Sequence, residues 1–145
     1  MITDQRRRLL ISLKPRFASA ILDGSKTVEL RRTRPRIEVP TEALIYASAP
    51  SCGIVGTCKV VEVIEGTPSE IWRSHGSEAG VSRAEFVDYF VGSRVAYGLV
   101  MAEPAKLPTT LSLDSLRAVR IGFHPPQSFR YLSTEDSDDL LALAS

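Results

Sequence analysis

A switch from helical to strand periodicity at Gly24 most strongly limits how this chain can fold. Between residues 15 and 23, apolar side chains recur at four-residue spacing, as Phe17 and Ile21 do. Pro15 suits the first position of such a helix, and Gly24 suits the left-handed residue that ends it. The pattern predicts a short helix over residues 15–23 that is followed at once by a strand.

The strand after this helix carries three charged side chains close together. Residues 27–31 alternate between polar and apolar types, which places Glu29 and Arg31 on the same side of a strand. Lys26 stands where that strand begins. We therefore expect the three side chains to meet in one cleft, with Lys26 at its mouth.

Short segments of both types continue through the rest of the chain. Strand-like runs cover residues 9–13, 43–49, 53–64 and 94–102. Capping-box sequences at residues 67–70 and 82–85 begin two helices, and a further short helix is expected at residues 113–119. This order is not a repeating βαβ pattern, and it favours an α+β fold: a small mixed β-barrel with short helices at its ends.

The length of 145 residues predicts a single domain over residues 1–145, with a basic N-terminal arm at 1–8 and an acidic C-terminal tail at 134–145. Positive charge is concentrated at the start. Residues 1–36 carry ten Lys/Arg against three Asp/Glu, a net of +7, whereas the remaining residues have a net charge of −6. This asymmetry indicates an anionic partner, with nucleic acid first, although charge also clusters on ordinary solvated faces.

Composition argues against several other classes of protein. No apolar run is long enough to cross a membrane, and no signal-peptide pattern opens the chain. Cys52 and Cys58 lack the neighbouring Cys or His residues of a metal site, and two cysteines do not make a secreted disulfide scaffold. The expectation is a reduced, cytoplasmic protein without a cofactor or a bound metal.

The cluster of Lys26, Glu29 and Arg31 allows three interpretations. The cations can bind phosphate while the carboxylate accepts a hydrogen bond from the edge of a base. A lysine or glutamate with a perturbed pKa can instead transfer a proton. The third interpretation is an internal salt bridge that only shapes the cleft.

Three arginines follow this cluster in a loop that Pro35 keeps out of a regular ladder. Guanidinium groups match phosphate oxygens in geometry, so Arg32, Arg34 and Arg36 are candidates for phosphate contacts.

Other candidate residues are isolated in the sequence. His75 lies in a polar loop and is either a general base assisted by Glu78 or a solvated loop residue. Tyr97 is a candidate for stacking on a base. Ser48 lies among the small residues 47–49, which leave room for a ligand or for a closely packed neighbour.

The spacing Gly24-x-Lys26-x-x-Glu29-x-Arg31 resembles the Gly-x-Lys-x-x-Glu-x-Arg signature of the ASCH domain, a family of the PUA-like superfamily. The Lys14–Pro15 pair and the segment from Pro125 to Ser133 are similar to parts of the same family. The resemblance implies a β-barrel whose cleft meets RNA or a modified nucleoside. Taken together, sequence and resemblance give as candidate binding residues Lys14, Lys26, Glu29, Arg31, Arg32, Arg34, Arg36, Ser48, Tyr97 and Arg130.

The resemblance leads to two functional hypotheses. The first is a module that binds RNA, other single-stranded nucleic acid or a modified nucleotide, with a regulatory role. The alternative is a small hydrolase, either a ribonuclease or an amidohydrolase for acetylated cytidine, with Lys26, Glu29 and Glu78 as catalytic residues. The amidohydrolase-like branch has a threonine where this chain has Glu29.

Overall fold

The computed structural model describes residues 7–144. The strands are β1 (Arg7–Leu13), β2 (Val28–Arg31), β3 (Thr41–Ala47), β4 (Gly53–Gly66), β5 (Ala96–Ser112) and β6 (Phe129–Ser133). The helices are α1 (Pro15–Asp23), α2 (Pro68–His75), α3 (Arg83–Tyr89), α4 (Leu113–Val119) and α5 (Thr134–Ala142), with a 3₁₀ turn at Gly76–Glu78.

The strands form one mixed sheet in the order β2-β5-β4-β3-β1-β6. β1 and β3 run parallel, with Leu9 opposite Ala43, whereas every other neighbouring pair is antiparallel. Helix α1 and β2 lie between β1 and β3 in the chain, and this long connection allows the parallel pairing.

The sheet does not close into the β-barrel that the sequence predicted. β2 and β6 are its two edges, and no ladder joins them within residues 7–144. In place of a ladder, the side chain of Arg31 at the end of β2 reaches Ser12 in β1 and Ser128 just before β6. The fold is therefore α+β with an open sheet, whose two ends are linked by a side chain and not by backbone pairing.

Hydrophobic clusters cover both faces of this sheet. The first packs α1 against one face, with Ile21 and Leu9 among its fully buried members. The second lies on the opposite face beneath α4 and α5 and includes Leu116 and Leu140. The third, centred on Phe86, packs α2 and α3 against β2 and β5 and so holds the charged strand in place.

Local signals placed the helix ends well. Helix α1 begins at Pro15 and ends before Gly24, which adopts φ 85° as predicted for a left-handed cap. The capping box of α3 forms with both of its hydrogen bonds, between Ser82 and Glu85. At α2 only one arm of the predicted box forms, in which the Thr67 hydroxyl accepts from the backbone N–H three residues on.

Both predicted terminal segments contain regular structure. β1 begins at Arg7, so two residues of the predicted basic arm 1–8 belong to the sheet, while residues 1–6 lie outside the described residues. The predicted acidic tail carries α5, whose first turn is capped by the Ser133 hydroxyl. Burial of Leu140 against the second cluster explains why this acidic segment is helical.

β5 is much longer than the strand predicted for residues 94–102. It continues to Ser112, but its pairing with β4 is irregular. Ile54 pairs with Leu111 whereas Gly56 pairs with Lys106, so residues 107–110 form a bulge opposite a single residue of β4.

Candidate nucleic-acid interface

Lys26 is buried inside the protein and does not lie at the mouth of a cleft. Only 2% of its surface is exposed. Its ammonium donates to the carbonyl oxygen of Val28 at 2.9 Å and to that of Ala79, and it lies 3.4 Å from Oε1 of Glu29. All three ammonium protons therefore have an acceptor within the protein.

The stem of Lys26 is packed as closely as its charge is paired. Gly80 adopts φ 68° and lies against the Lys26 side chain. A β-carbon at this position would come within 3.1–3.2 Å of the lysine Cβ, Cγ and Cδ. The ammonium also lies 5.0 Å from the centre of the Phe17 ring on α1. Lys26 thus connects β2, through Val28, to the loop between α2 and α3, through Ala79 and Gly80.

Glu29 links the two cations of the charged cluster (Lys26, Glu29 and Arg31). Its Oε1 faces Lys26, and its Oε2 lies 2.9 Å from Nη2 of Arg31. Burial lowers the pKa of Lys26, and the Glu29 carboxylate opposes that shift because it favours the charged ammonium. The three side chains contact one another, but as a buried ion-pair cluster and not as the lining of an open cleft.

Arg31 extends from this cluster into the gap between the two edges of the sheet. Nη1 donates to the Ser128 hydroxyl at 2.6 Å, and Nη2 donates to the backbone carbonyl of Ser12 at 3.3 Å. Its Nε and the hydroxyl oxygen of Ser12 are buried without a hydrogen-bond partner among the described residues. Of the groups around Arg31, the Ser128 hydroxyl is exposed and can also bond to a ligand or to water.

The basic loop (residues 32–36) is exposed at each of its arginines. The Arg32 guanidinium lies 4.4 Å from the centre of the Tyr89 ring, and Arg34 lies 3.5 Å from Glu65. The backbone N–H of Arg36 donates to the Tyr131 hydroxyl at 2.6 Å, while its guanidinium makes no ion pair with any residue from 7 to 144.

The basic loop therefore runs between two tyrosine rings, Tyr89 and Tyr131. A further guanidinium, that of Arg7, lies 5.5 Å from the centre of the Tyr131 ring. Cations and aromatic rings alternate along this surface, which is the combination that single-stranded nucleic acids use for their phosphates and bases.

The remaining predicted binding residues are placed separately. Lys14 is exposed at the start of α1, and Ser48 is half-buried at the end of β3. Tyr97 is half-buried and pairs with Arg31 in the ladder between β2 and β5. Arg130 lies over the Phe123 ring on the opposite face of β6 from Tyr131, so the structure does not bring it to the basic loop.

Glu78 and His75 form a pair at the surface. His75 ends α2, where its Nδ1 lies 3.6 Å from Oε1 of Glu78. The other carboxylate oxygen of Glu78 accepts a weak 3.4 Å hydrogen bond from the Thr27 hydroxyl. This pair adjoins the residue after Lys26 but is partly exposed, unlike Lys26 itself.

Within the described chain, no three His, Cys, Asp or Glu side chains are placed to hold a metal ion. Cys52 and Cys58 are free thiols, and burial raises the pKa of Cys58 to about 12. No helix between residues 7 and 144 combines the length and the hydrophobicity needed to span a membrane.

Sequence reasoning missed two partners of Arg31, which are the backbone carbonyl of Ser12 and the hydroxyl of Ser128. The one available signal was Ser12 itself, a single polar residue within the apolar run of residues 9–13. Ser128 comes from the far end of the chain, and only the pairing of β1 with β6 brings it to Arg31.

A family model, a relative of similar length and a solved structure identify one family. The sequence profile of the ASCH domain matches residues 11–108. An ASCH domain-containing ribonuclease from Zymomonas mobilis is 34% identical over 140 residues, which cover 97% of this chain and 94% of that protein. The crystal structure of a tyrosine-to-phenylalanine variant of the ASCH protein from Zymomonas mobilis matches with a TM-score of 0.91 and 33% identity, covering 97% of this chain and 100% of that one.

A more distant solved structure shares the fold alone. Human THYN1, crystallised in complex with DNA containing 5-methylcytosine, matches with a TM-score of 0.63 at 14% identity, over 96% of this chain and 98% of that one.

Proposed function

Because the chain belongs to the ASCH domain family, we propose that it binds single-stranded RNA in the cytoplasm, through the basic loop and the gap beside Arg31. The observation that carries this proposal is the path of the basic loop between Tyr89 and Tyr131, with Arg32, Arg34 and Arg36 exposed along it.

Each group on this surface has a role in the proposal. The loop guanidiniums bind successive phosphates, since their forked geometry fits two phosphate oxygens at once. The two tyrosine rings are half-buried and each lies beneath a guanidinium, so in the proposal a base stacks on a ring when that arginine moves to a phosphate. Such stacking tolerates any base. Binding of this kind requires little sequence specificity.

The charged cluster directly precedes the basic loop in the chain and positions Arg31. Lys26 and Glu29 are buried and saturated with internal contacts, so in the proposal they fix Arg31 and do not touch RNA. Ser128 lies at the gap beside Arg31, and in the proposal its exposed hydroxyl bonds to the RNA backbone.

The proposal is tested by the affinity for a single-stranded RNA of about ten nucleotides, measured by fluorescence anisotropy. We expect the Arg32→Gln, Arg34→Gln, Arg36→Gln triple variant to bind about tenfold or more weakly than the native chain. The control replaces Lys59, Arg73 and Arg117 by Gln, which removes equal charge elsewhere and should change affinity by less than about threefold. Equal losses in the two variants would contradict a site at the basic loop.

A ribonuclease activity is the second candidate, favoured by the relative from Zymomonas mobilis that spans nearly the whole chain. Of the residues predicted for catalysis, Lys26 and Glu29 are buried, whereas the pair of His75 and Glu78 is partly exposed. A histidine beside a carboxylate can remove a proton from a ribose hydroxyl. The accessible pair is therefore the better candidate for proton transfer.

This second function is tested by cleavage of end-labelled RNA in the presence of EDTA, with release of acetate from acetylated cytidine measured in parallel. If His75 acts as the general base, His75→Gln should lower cleavage about a hundredfold without a matching loss of RNA affinity. A native chain that cleaves no RNA, or a His75→Gln variant that cleaves like it, would exclude this role.

A further inference from the structure

A groove beside α1 lies outside the surface described above. It encloses about 190 Å³ between α1, the turn after β3, and β5. Its lining includes Ala18, Ser19, Ala47, Ser51, Lys106 and Leu107.

The groove exists because of two features of the sequence. Ala47 belongs to the run of small residues at 47–49, so the floor beside α1 is not filled by a large side chain. The opposite wall is the bulge of residues 107–110, which leaves the β4–β5 ladder where the pairing shifts past Val55. α1 closes the near side, with Leu22 packed directly on Gly56 of β4.

The lining combines apolar walls with a few polar groups. Alanine, leucine and proline side chains form flat surfaces, while the hydroxyls of Ser19, Ser51 and Thr110 can bond to the edge of a ring. The volume is smaller than the roughly 300–1,000 Å³ of sites for drug-sized ligands. One planar ring therefore fits the groove better than a larger molecule does.

The side chain of Lys106 lies at the groove. Lys106 is exposed and makes no ion pair with any residue from 7 to 144, although Asp23 at the end of α1 is near enough for the two charges to interact. Lys14, just before Pro15 of the lining, is likewise exposed and unpaired among these residues. A ligand with a ring and an adjacent anionic group would satisfy both the groove and its lysines.

We propose that this groove binds one nucleotide of the RNA, with the base between α1 and the bulge of residues 107–110 and its phosphate at Lys106. This proposal rests on the RNA binding proposed above and adds a second point of contact to it. No residue of the basic loop lines the groove, so in this proposal the groove selects a nucleotide while the loop binds the RNA backbone.

The test is a titration of the isotope-labelled protein with each nucleoside 5′-monophosphate, and with inorganic phosphate alone, followed by NMR. We expect at least one nucleotide to shift the amide signals of Ser51, Val55 and Thr110, and phosphate alone to leave Val55 unchanged. Ser19→Leu fills the groove from an exposed helix position, and Lys106→Gln removes its cation. Each should weaken binding of that nucleotide about tenfold, as expected when one well-formed contact is lost.

Ser69→Leu on α2 and Lys59→Gln on β4 are the matched controls, and both should bind as the native chain does. Affinities unchanged by Ser19→Leu and Lys106→Gln, or shifts confined to residues 32–36, would overturn the groove as a base site. If Ser19→Leu does not fold, Lys106→Gln at its exposed position decides the outcome alone.

The same variants separate this inference from the proposed function. If the loop variant loses RNA affinity while both groove variants keep it, the groove proposal is wrong and the proposed function stands. If the groove variants lose RNA affinity while the loop variant keeps it, the groove proposal is supported and the site at the basic loop is wrong.

Discussion

Lys26 is a charged side chain whose surroundings are entirely protein. Two backbone carbonyls accept hydrogen bonds from its ammonium, Glu29 pairs with its charge, and Gly80 and Phe17 lie against the side chain. A buried charge is tolerated only when it is paired in this way, and removal of one member leaves the others unpaired. The Gly-x-Lys-x-x-Glu-x-Arg pattern thus has a structural meaning, since the lysine and glutamate position the arginine.

Replacement of Lys26 by Met tests this role at a single residue. The change keeps the length of the stem but leaves the carbonyls of Val28 and Ala79 without a donor, and Glu29 with only Arg31. We expect a loss of about 3 kcal/mol in the free energy of unfolding, typical of a broken buried ion pair. Urea unfolding at neutral pH measures it.

The matched control is Lys59→Met. Lys59 also pairs with a glutamate, at 3.0 Å from Glu103, but the two side chains are 38% and 70% exposed. Its replacement should cost less than about 1 kcal/mol. Equal losses in the two variants would show that Lys26 is no more important to folding than a surface lysine.

Helices α1 and α3 are joined by a pair of side chains that are far apart in sequence. Arg16 on α1 donates to Glu85 on α3, and Glu85 also accepts from the backbone of Ser82 in the capping box. The Arg16 guanidinium, with the Ser82 backbone second, lowers the pKa of Glu85 from 4.5 to about 2. Both contacts require the carboxylate in its charged form.

This pairing predicts a defined dependence of stability on pH. Because the pKa of Glu85 is lower in the folded protein, its contribution is fully present above about pH 4.5 and is lost as the pH falls toward 2. Glu85→Gln should therefore be less stable than the native chain at pH 7, with the difference shrinking between pH 4.5 and pH 2. Urea midpoints across this range measure the effect.

Asp88→Asn provides the control on the same helix, because Asp88 forms no ion pair among the described residues. Its difference from the native chain should not follow this profile. A Glu85→Gln difference that stays constant from pH 7 to pH 2 would refute the role given to the charged carboxylate.

Elements defined by local chemistry were predictable from the sequence, and elements defined by pairing were not. α1 and its cap at Gly24 follow from residues within one segment. β5 was predicted to end at residue 102 because Pro104 and Pro108 follow, yet the strand continues. Both prolines fall where the ladder with β4 is interrupted, so neither removes a paired N–H.

At the scale of the whole molecule, the sequence did not predict that the sheet is open. Whether short strands close a barrel depends on the two edges, and within residues 7–144 no backbone ladder joins β2 to β6, although Arg31 reaches Ser12 and Ser128. The same long-range placement hid Ser12 and Ser128 from sequence reasoning and put Lys26 inside the protein. The placement of Glu29 and Arg31 on one side was predictable, because alternation along one strand fixes it, whereas the buried position of Lys26 was not.

The charge of the molecule is distributed to match the proposed function. The basic first quarter of the chain supplies the exposed loop arginines, whereas the acidic end forms α5 on the opposite face of the sheet, where Arg120 pairs with Asp136 and Asp139. An anionic strand is thus attracted to one side of the protein.

The salt dependence of RNA binding tests the central claim most directly. For a single-stranded RNA, log K decreases with log salt, and each phosphate contact that is lost makes this slope about 0.7 less steep. The triple replacement of Arg32, Arg34 and Arg36 by Gln should therefore flatten the slope by about two relative to the native chain. A triple variant whose slope equals that of the native chain would contradict the claim that the basic loop holds the RNA backbone.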